Sequence, residues 1–118
     1  MEMGTTITPQ ECKGVLNSIG DALYVIGGKW KLRVIVALRE GNTRFNEIQR
    51  TIDGISARVL SNELKELELN GFVKRTVLST TPVVVEYKIT PYADTLGNVL
   101  NALAEWGTMH RDKIRKER

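Results

Sequence analysis

The chain has 118 residues, 42% hydrophobic and 26% charged, which is the balance of one soluble globular domain and leaves no room for two. One cysteine and one histidine exclude an internal disulfide framework and any cluster at zinc-ligand spacing, so neither a metal nor a cofactor is expected. Lysine and arginine exceed aspartate and glutamate by 17 to 14, and the net charge of +3 points only weakly to an anionic partner.

In chain order, Val15, Leu16, Ile19, Leu23 and Ile26 recur at helical spacing after a short polar start, and Gly27-Gly28 ends this first amphipathic helix. Cys12 stands just before it. A second, more apolar helix opens at Trp30 and runs through Val34, Ile35, Ala37 and Leu38 to Gly41-Asn42. Thr43 is the expected N-cap of a short third helix bearing Phe45, Ile48 and Ile52, which a tight Asp53-Gly54 turn closes. Ser56 caps a fourth helix whose stripe of Ala57, Leu60, Leu64 and Leu67 fits one buried face, with Asn70-Gly71 as its stop.

The period then changes. Phe72 to Leu78 and Val83 to Thr90 are rich in β-branched residues, and Ser79-Thr80-Thr81-Pro82 joins them as a hairpin. Thr90-Pro91 marks the N-cap and first residue of a long last helix. Its seam of Leu96, Val99, Leu100, Leu103, Trp106, His110 and Ile114 runs over about 25 residues, or about 38 Å. Gly97 and Gly107 weaken that helix by about 1 kcal/mol each and suit either close approach of a partner helix or a bend. No apolar run approaches the roughly 18 residues of a membrane span, and MEMGTTITPQ lacks the basic and apolar regions of a secretion signal, so a cytoplasmic location is expected.

Short helix, glycine turn, capped helix and hairpin, in that order, form a winged helix-turn-helix, whose second helix enters the DNA major groove. On the fourth helix Arg58, Asn62 and Lys65 fall opposite the leucine stripe, with Val59 at the edge of that face. Arginine pairs with guanine, asparagine with adenine, and a valine methyl touches the thymine methyl. Ser56 adds a hydroxyl beside free backbone amides that attract phosphate. A solvated helix face is the competing reading, because Glu63, Glu66 and Glu68 share the helix and Leu69 sits opposite the core.

Several motifs together resemble the HxlR family of bacterial transcription regulators. They are Gly27-Gly28-Lys29-Trp30, Arg44-Phe45-Asn46-Glu47-Ile48, the run from Gly54 to Ser61, Leu64 to Glu68, Gly71-Phe72-Val73, and Val85 to Pro91, within about Cys12 to Trp106. The resemblance implies a mainly α fold with a small β hairpin, related in architecture to the MarR group, and a homodimer that binds double-stranded DNA and usually represses nearby genes. The helix-turn-helix falls at about 43–70, the wing at about 72–90 and a dimerisation helix at about 91–116 of a single domain spanning 1–118. Arg58 and Asn62 are expected to read bases, while Arg44, Ser56, Lys65 and Arg75 meet phosphates; Lys29, Lys31 and Arg50 are weaker candidates.

Val84 stands where the family commonly has a basic wing residue, which leaves a wing contact with the minor groove in question. In some members a cysteine at the place of Cys12 senses oxidants or electrophiles. A buried place in the dimer seam is the other reading of that thiol. A winged-helix interaction module without specific DNA binding is the alternative function. A thiol enzyme is disfavoured, since no base or oxyanion donor is readable beside Cys12.

Charge is unevenly spread. Residues 29–50 carry six basic and two acidic side chains and residues 71–90 carry three and one, whereas residues 51–70 carry two and four. The positive excess therefore flanks the fourth helix and predicts salt-sensitive binding.

Overall fold

The computed structural model describes residues 8–117; the polar start up to residue 7 and the last residue of the basic tail, Arg118, lie outside them. Five α-helices and one antiparallel hairpin follow the expected order: α1 (Pro9–Ile26), α2 (Lys31–Arg39), α3 (Phe45–Thr51), α4 (Ala57–Leu69), β1 (Val73–Leu78), β2 (Val84–Ile89) and α5 (Gly97–Lys116), with a 3-10 turn over Pro91–Leu96 before α5.

Helix α1 starts earlier than its apolar residues suggest. Thr8 accepts from the Glu11 amide at 3.1 Å and the Glu11 carboxylate accepts from the Thr8 amide at 3.0 Å, a reciprocal cap with Pro9 in the first turn. Cys12 therefore lies inside the helix, not ahead of it, and its amide donates to the Thr8 carbonyl.

The core lies in the middle of the chain. Val34, Ile35, Ala37 and Leu38 from α2 meet Ile48 from α3, Ile52 and Ile55 from the following turn, and Leu60, Leu64 and Leu67 from α4. Phe72 and Val73 close it from the hairpin side, with Ala93 and Leu96 from the 3-10 turn. Trp30 and Phe45 pack against this cluster half-buried. Ala57 does not join the stripe. It is the first residue of α4 and stays exposed.

One expected cap is replaced, and another keeps its place without a side-chain bond. Arg44, not Thr43, is the N-cap of α3, because the Thr43 carbonyl accepts from the Tyr87 amide at 2.8 Å and so ties the helix entrance to β2. The Glu47 carboxylate reaches back to the Arg44 amide at 3.0 Å and satisfies that free donor. Thr90 is the N-cap ahead of Pro91, as expected, but its side chain makes no capping bond. Its hydroxyl donates to the Gly71 carbonyl at 2.5 Å and its amide to the Phe72 carbonyl at 3.0 Å, which pins the end of β2 to the end of α4. Gly71 turns the chain there with φ +83°, a conformation that favours glycine.

The hairpin pairs Val73 with Ile89 and Leu78 with Val84. The expected continuous last helix is in fact two pieces. Its first turn is 3-10, stacking Tyr92 on Phe72 with ring centroids 5.0 Å apart, and the α-helix begins at Gly97. Of its predicted seam only Leu96 is buried and Leu100 half-buried; Val99, Leu103, Trp106 and Ile114 are exposed. Helix α1 likewise buries nothing, with Leu16, Ile19 and Leu23 in solvent. The molecule is accordingly elongated: its radius of gyration is 17.6 Å, against roughly 13 to 14 Å for a compact chain of this length.

Candidate nucleic-acid interface

Helix α4 has two unlike sides. Leu60, Leu64 and Leu67 are buried in the core, where α4 meets α2 and β1, while Arg58, Asn62 and Lys65 stand exposed on the opposite side, with Val59 half-buried at its edge. Burying three leucines stabilises the fold by about 1.5 to 3 kcal/mol each, which fixes how α4 is turned about its axis and hence which residues face out. The Ser56 hydroxyl accepts from the Val59 amide at 3.1 Å and caps the helix. The hydroxyl is thus partly committed to the helix it was expected to serve as a phosphate donor.

Arg44 is exposed at the start of α3, and Arg75 is exposed on β1 opposite Tyr87. All seven residues expected to meet DNA are therefore solvent-accessible, and they come from three places in the fold: the entrance of α3, α4 and the hairpin. Val84 is half-buried opposite Leu78, so its side chain is not free at the wing tip. The exposed wing residues Val77 and Val83 are apolar, and the basic ones, Lys74, Arg75 and Lys88, sit nearer the base of the hairpin.

The weaker candidates divide. Arg50 is exposed. Lys29 places its ammonium 4.6 Å from the centre of the Trp30 ring, and Arg33 lies over the same ring at 5.8 Å while bonding the Lys29 carbonyl. Lys31 is not a free surface cation. Its ammonium lies 3.2 Å from Glu63 and 2.5 Å from Glu66, joining α2 to α4. The hydrogen bond to Glu66 is the main reason its pKa is raised above the ordinary lysine value of 10.5. Two of the acidic residues that argued for a merely solvated face are thus paired. Spacing alone puts Glu63 and Glu66 on one flank of α4, but nothing in the sequence connects that flank to Lys31.

Cys12 is exposed on α1. His110 stacks on Trp106 with ring centroids 4.9 Å apart, and no group of three metal-ligating side chains occurs among the described residues. Among those residues no helix is long and apolar enough to cross a membrane.

The profile of the HxlR-like helix-turn-helix family matches residues 25–115. This chain belongs to the HxlR family. An uncharacterised HTH-type transcriptional regulator of Halalkalibacterium halodurans is 42% identical over 108 residues, covering 86% of this chain and 96% of the relative. Among solved structures, the redox regulator HypR in its reduced form is 37% identical with a TM-score of 0.76, covering 84% of this chain and 98% of the other. A MarR-family transcriptional regulator from Enterococcus faecalis is 37% identical with a TM-score of 0.71 and covers 97% and 99%. This HxlR protein is thus a winged-helix transcriptional regulator of helix-turn-helix type, with the MarR-like architecture its element order implied.

Proposed function

We propose that the protein binds a pseudo-palindromic DNA operator as a homodimer and represses the adjacent gene. The observation that carries the reading is the division of α4, whose leucine side is locked into the core while Arg58, Asn62 and Lys65 project from the other. Arg58 and Asn62 read base edges in the major groove; Arg44, Ser56, Lys65 and Arg75 hold phosphates, and Val59 lies against a thymine methyl. The whole chain acts as one winged domain, its long C-terminal helix serving for dimerisation. Two copies of α4 then meet successive major grooves about 34 Å apart.

The terminal helices support the dimer. The chain exposes 9075 Å², against about 6,400 Å² for a compact monomer of its mass, and much of the apolar part of that surface lies on α1 and α5. Enrichment of bound duplexes from a random pool, followed by titration of the selected sequence, tests the reading. Arg58→Ala is expected to lose about 1 to 3 kcal/mol and to relax preference at one base pair, while Lys65→Ala weakens all sequences alike and flattens the salt slope by about one unit. An unchanged ratio of specific to nonspecific affinity in Arg58→Ala would refute the assignment of Arg58.

Cys12 is the thiol through which an oxidant or electrophile acts on this regulator. Its exposure on α1 and the chain's likeness to the redox regulator HypR support the reading. With one cysteine per chain, the oxidised state is either a disulfide between two copies, formed with loss of two hydrogens to the oxidant, or a mixed disulfide or adduct. Diamide treatment is expected to weaken operator binding by wild type and leave Cys12→Ser unaffected; equal affinity before and after treatment of wild type rules the sensor out.

A further inference from the structure

Helix α4 has an awkward charge for a helix that approaches DNA. Arg58 and Lys65 are outnumbered by Glu63, Glu66 and Glu68, so left alone it carries a net negative charge toward a polyanion. At 100° per residue, Glu63 and Glu66 lie together on one flank, adjoining the face of Arg58, Asn62 and Lys65. Into that flank comes Lys31, from the first turn of α2, bridging both carboxylates at 3.2 and 2.5 Å. It is the only ion pair among the described residues that joins two elements of the fold.

The bridge is sheltered. The side chains of Lys31 and Glu63 are only 15% and 17% exposed, so their attraction is screened by salt less than that of a surface pair. The backbone beneath is fixed, because Val34, Ile35 and Leu38 lock α2 into the core that also holds Leu60, Leu64 and Leu67.

We propose that Lys31 is a positioning residue for DNA recognition: bridging Glu63 and Glu66, it cancels one of the two negative charges beside the reading face and turns both carboxylates away from the phosphates. This rests on the DNA-binding reading above. Lys31 acts through the two glutamates and touches no DNA itself, which separates it from Lys65 and Arg44.

The test is an anisotropy titration of the full-length protein on a duplex selected by wild type and on a scrambled one, over rising salt. Lys31→Gln is expected to weaken both by about tenfold at low ionic strength. The deficit shrinks as salt rises, because the Debye length falls from about 30 Å at 0.01 M to about 10 Å at 0.1 M. Adding Glu63→Gln and Glu66→Gln to Lys31→Gln returns affinity to within about threefold of wild type, and the salt dependence of the Lys31→Gln deficit, which a purely structural defect would lack, separates charge from folding. Lys31→Arg keeps the bridge and binds as wild type.

A Lys31→Gln protein that matches wild type, or a triple variant as weak as Lys31→Gln, overturns the proposal while leaving the DNA-binding reading intact. A wild type with no affinity for any duplex overturns both. If Lys31→Gln alone does not fold, the triple variant, which leaves no carboxylate unpaired, decides: affinity near wild type supports the bridge, and a tenfold loss refutes it.

Discussion

The middle of the chain and its two ends use the same kind of sequence to opposite effect. From α2 to the 3-10 turn, amphipathic stripes close on each other and bury Val34 through Leu96 as one cluster. Helices α1 and α5 have stripes just as regular, yet neither contributes a buried residue. A stripe tells that a face is to be covered; it does not tell whether the cover comes from the same chain. The middle closes its own core, and the proposed dimer would cover the ends with a second copy.

The sharpest separation of the two regions comes from replacing one leucine in each. Leu64 is 2% exposed and packed in the shared core, so Leu64→Ala is expected to destabilise the fold by about 2 to 5 kcal/mol, read by denaturant unfolding. Leu103 is 52% exposed on α5, and Leu103→Lys should leave the core packed but raise the dimer dissociation constant at least tenfold, about 1.4 kcal/mol. Sedimentation over a range of concentrations measures this. A dimer indifferent to Leu103→Lys would mean that the α5 seam is not the interface.

The same contrast explains what was legible beforehand. The core helices were readable because period and stop signals agree: Ile48 and Ile52 at helical spacing before Asp53-Gly54, then Ser56 ahead of the leucines, with Gly54 at φ +82° and Gly71 at φ +83° where glycines were expected. The errors fall where a long-range bond overrode a local preference. Thr43 loses its capping role to the strand partner Tyr87, and the Thr90 hydroxyl is drawn to the Gly71 carbonyl, 19 residues back. The outward face of α4 followed from the leucine spacing alone, but the Lys31 bridge did not, since its members are 32 and 35 residues apart. Local periodicity carries no information about which charges a tertiary fold brings together.

Gly107 gives the finest test of how the ends are covered. It lies on the apolar seam of α5, one turn from Leu103 and two from Ile114, and within the chain itself a Cβ there would meet nothing within 4 Å. In an isolated helix Gly107→Ala stabilises by about 1 kcal/mol, since alanine surrenders less conformational freedom. Across a helix crossing the sign reverses, because the bare backbone is what lets a partner helix approach, and a methyl group at the contact pushes it away. The expected result is therefore a more helical protein that dimerises more weakly, by about 1 kcal/mol, read by circular dichroism and sedimentation on the same samples. If Gly107→Ala instead dimerises more tightly, the copies cross elsewhere along α5, and Gly107 is no more than a weak point in the helix.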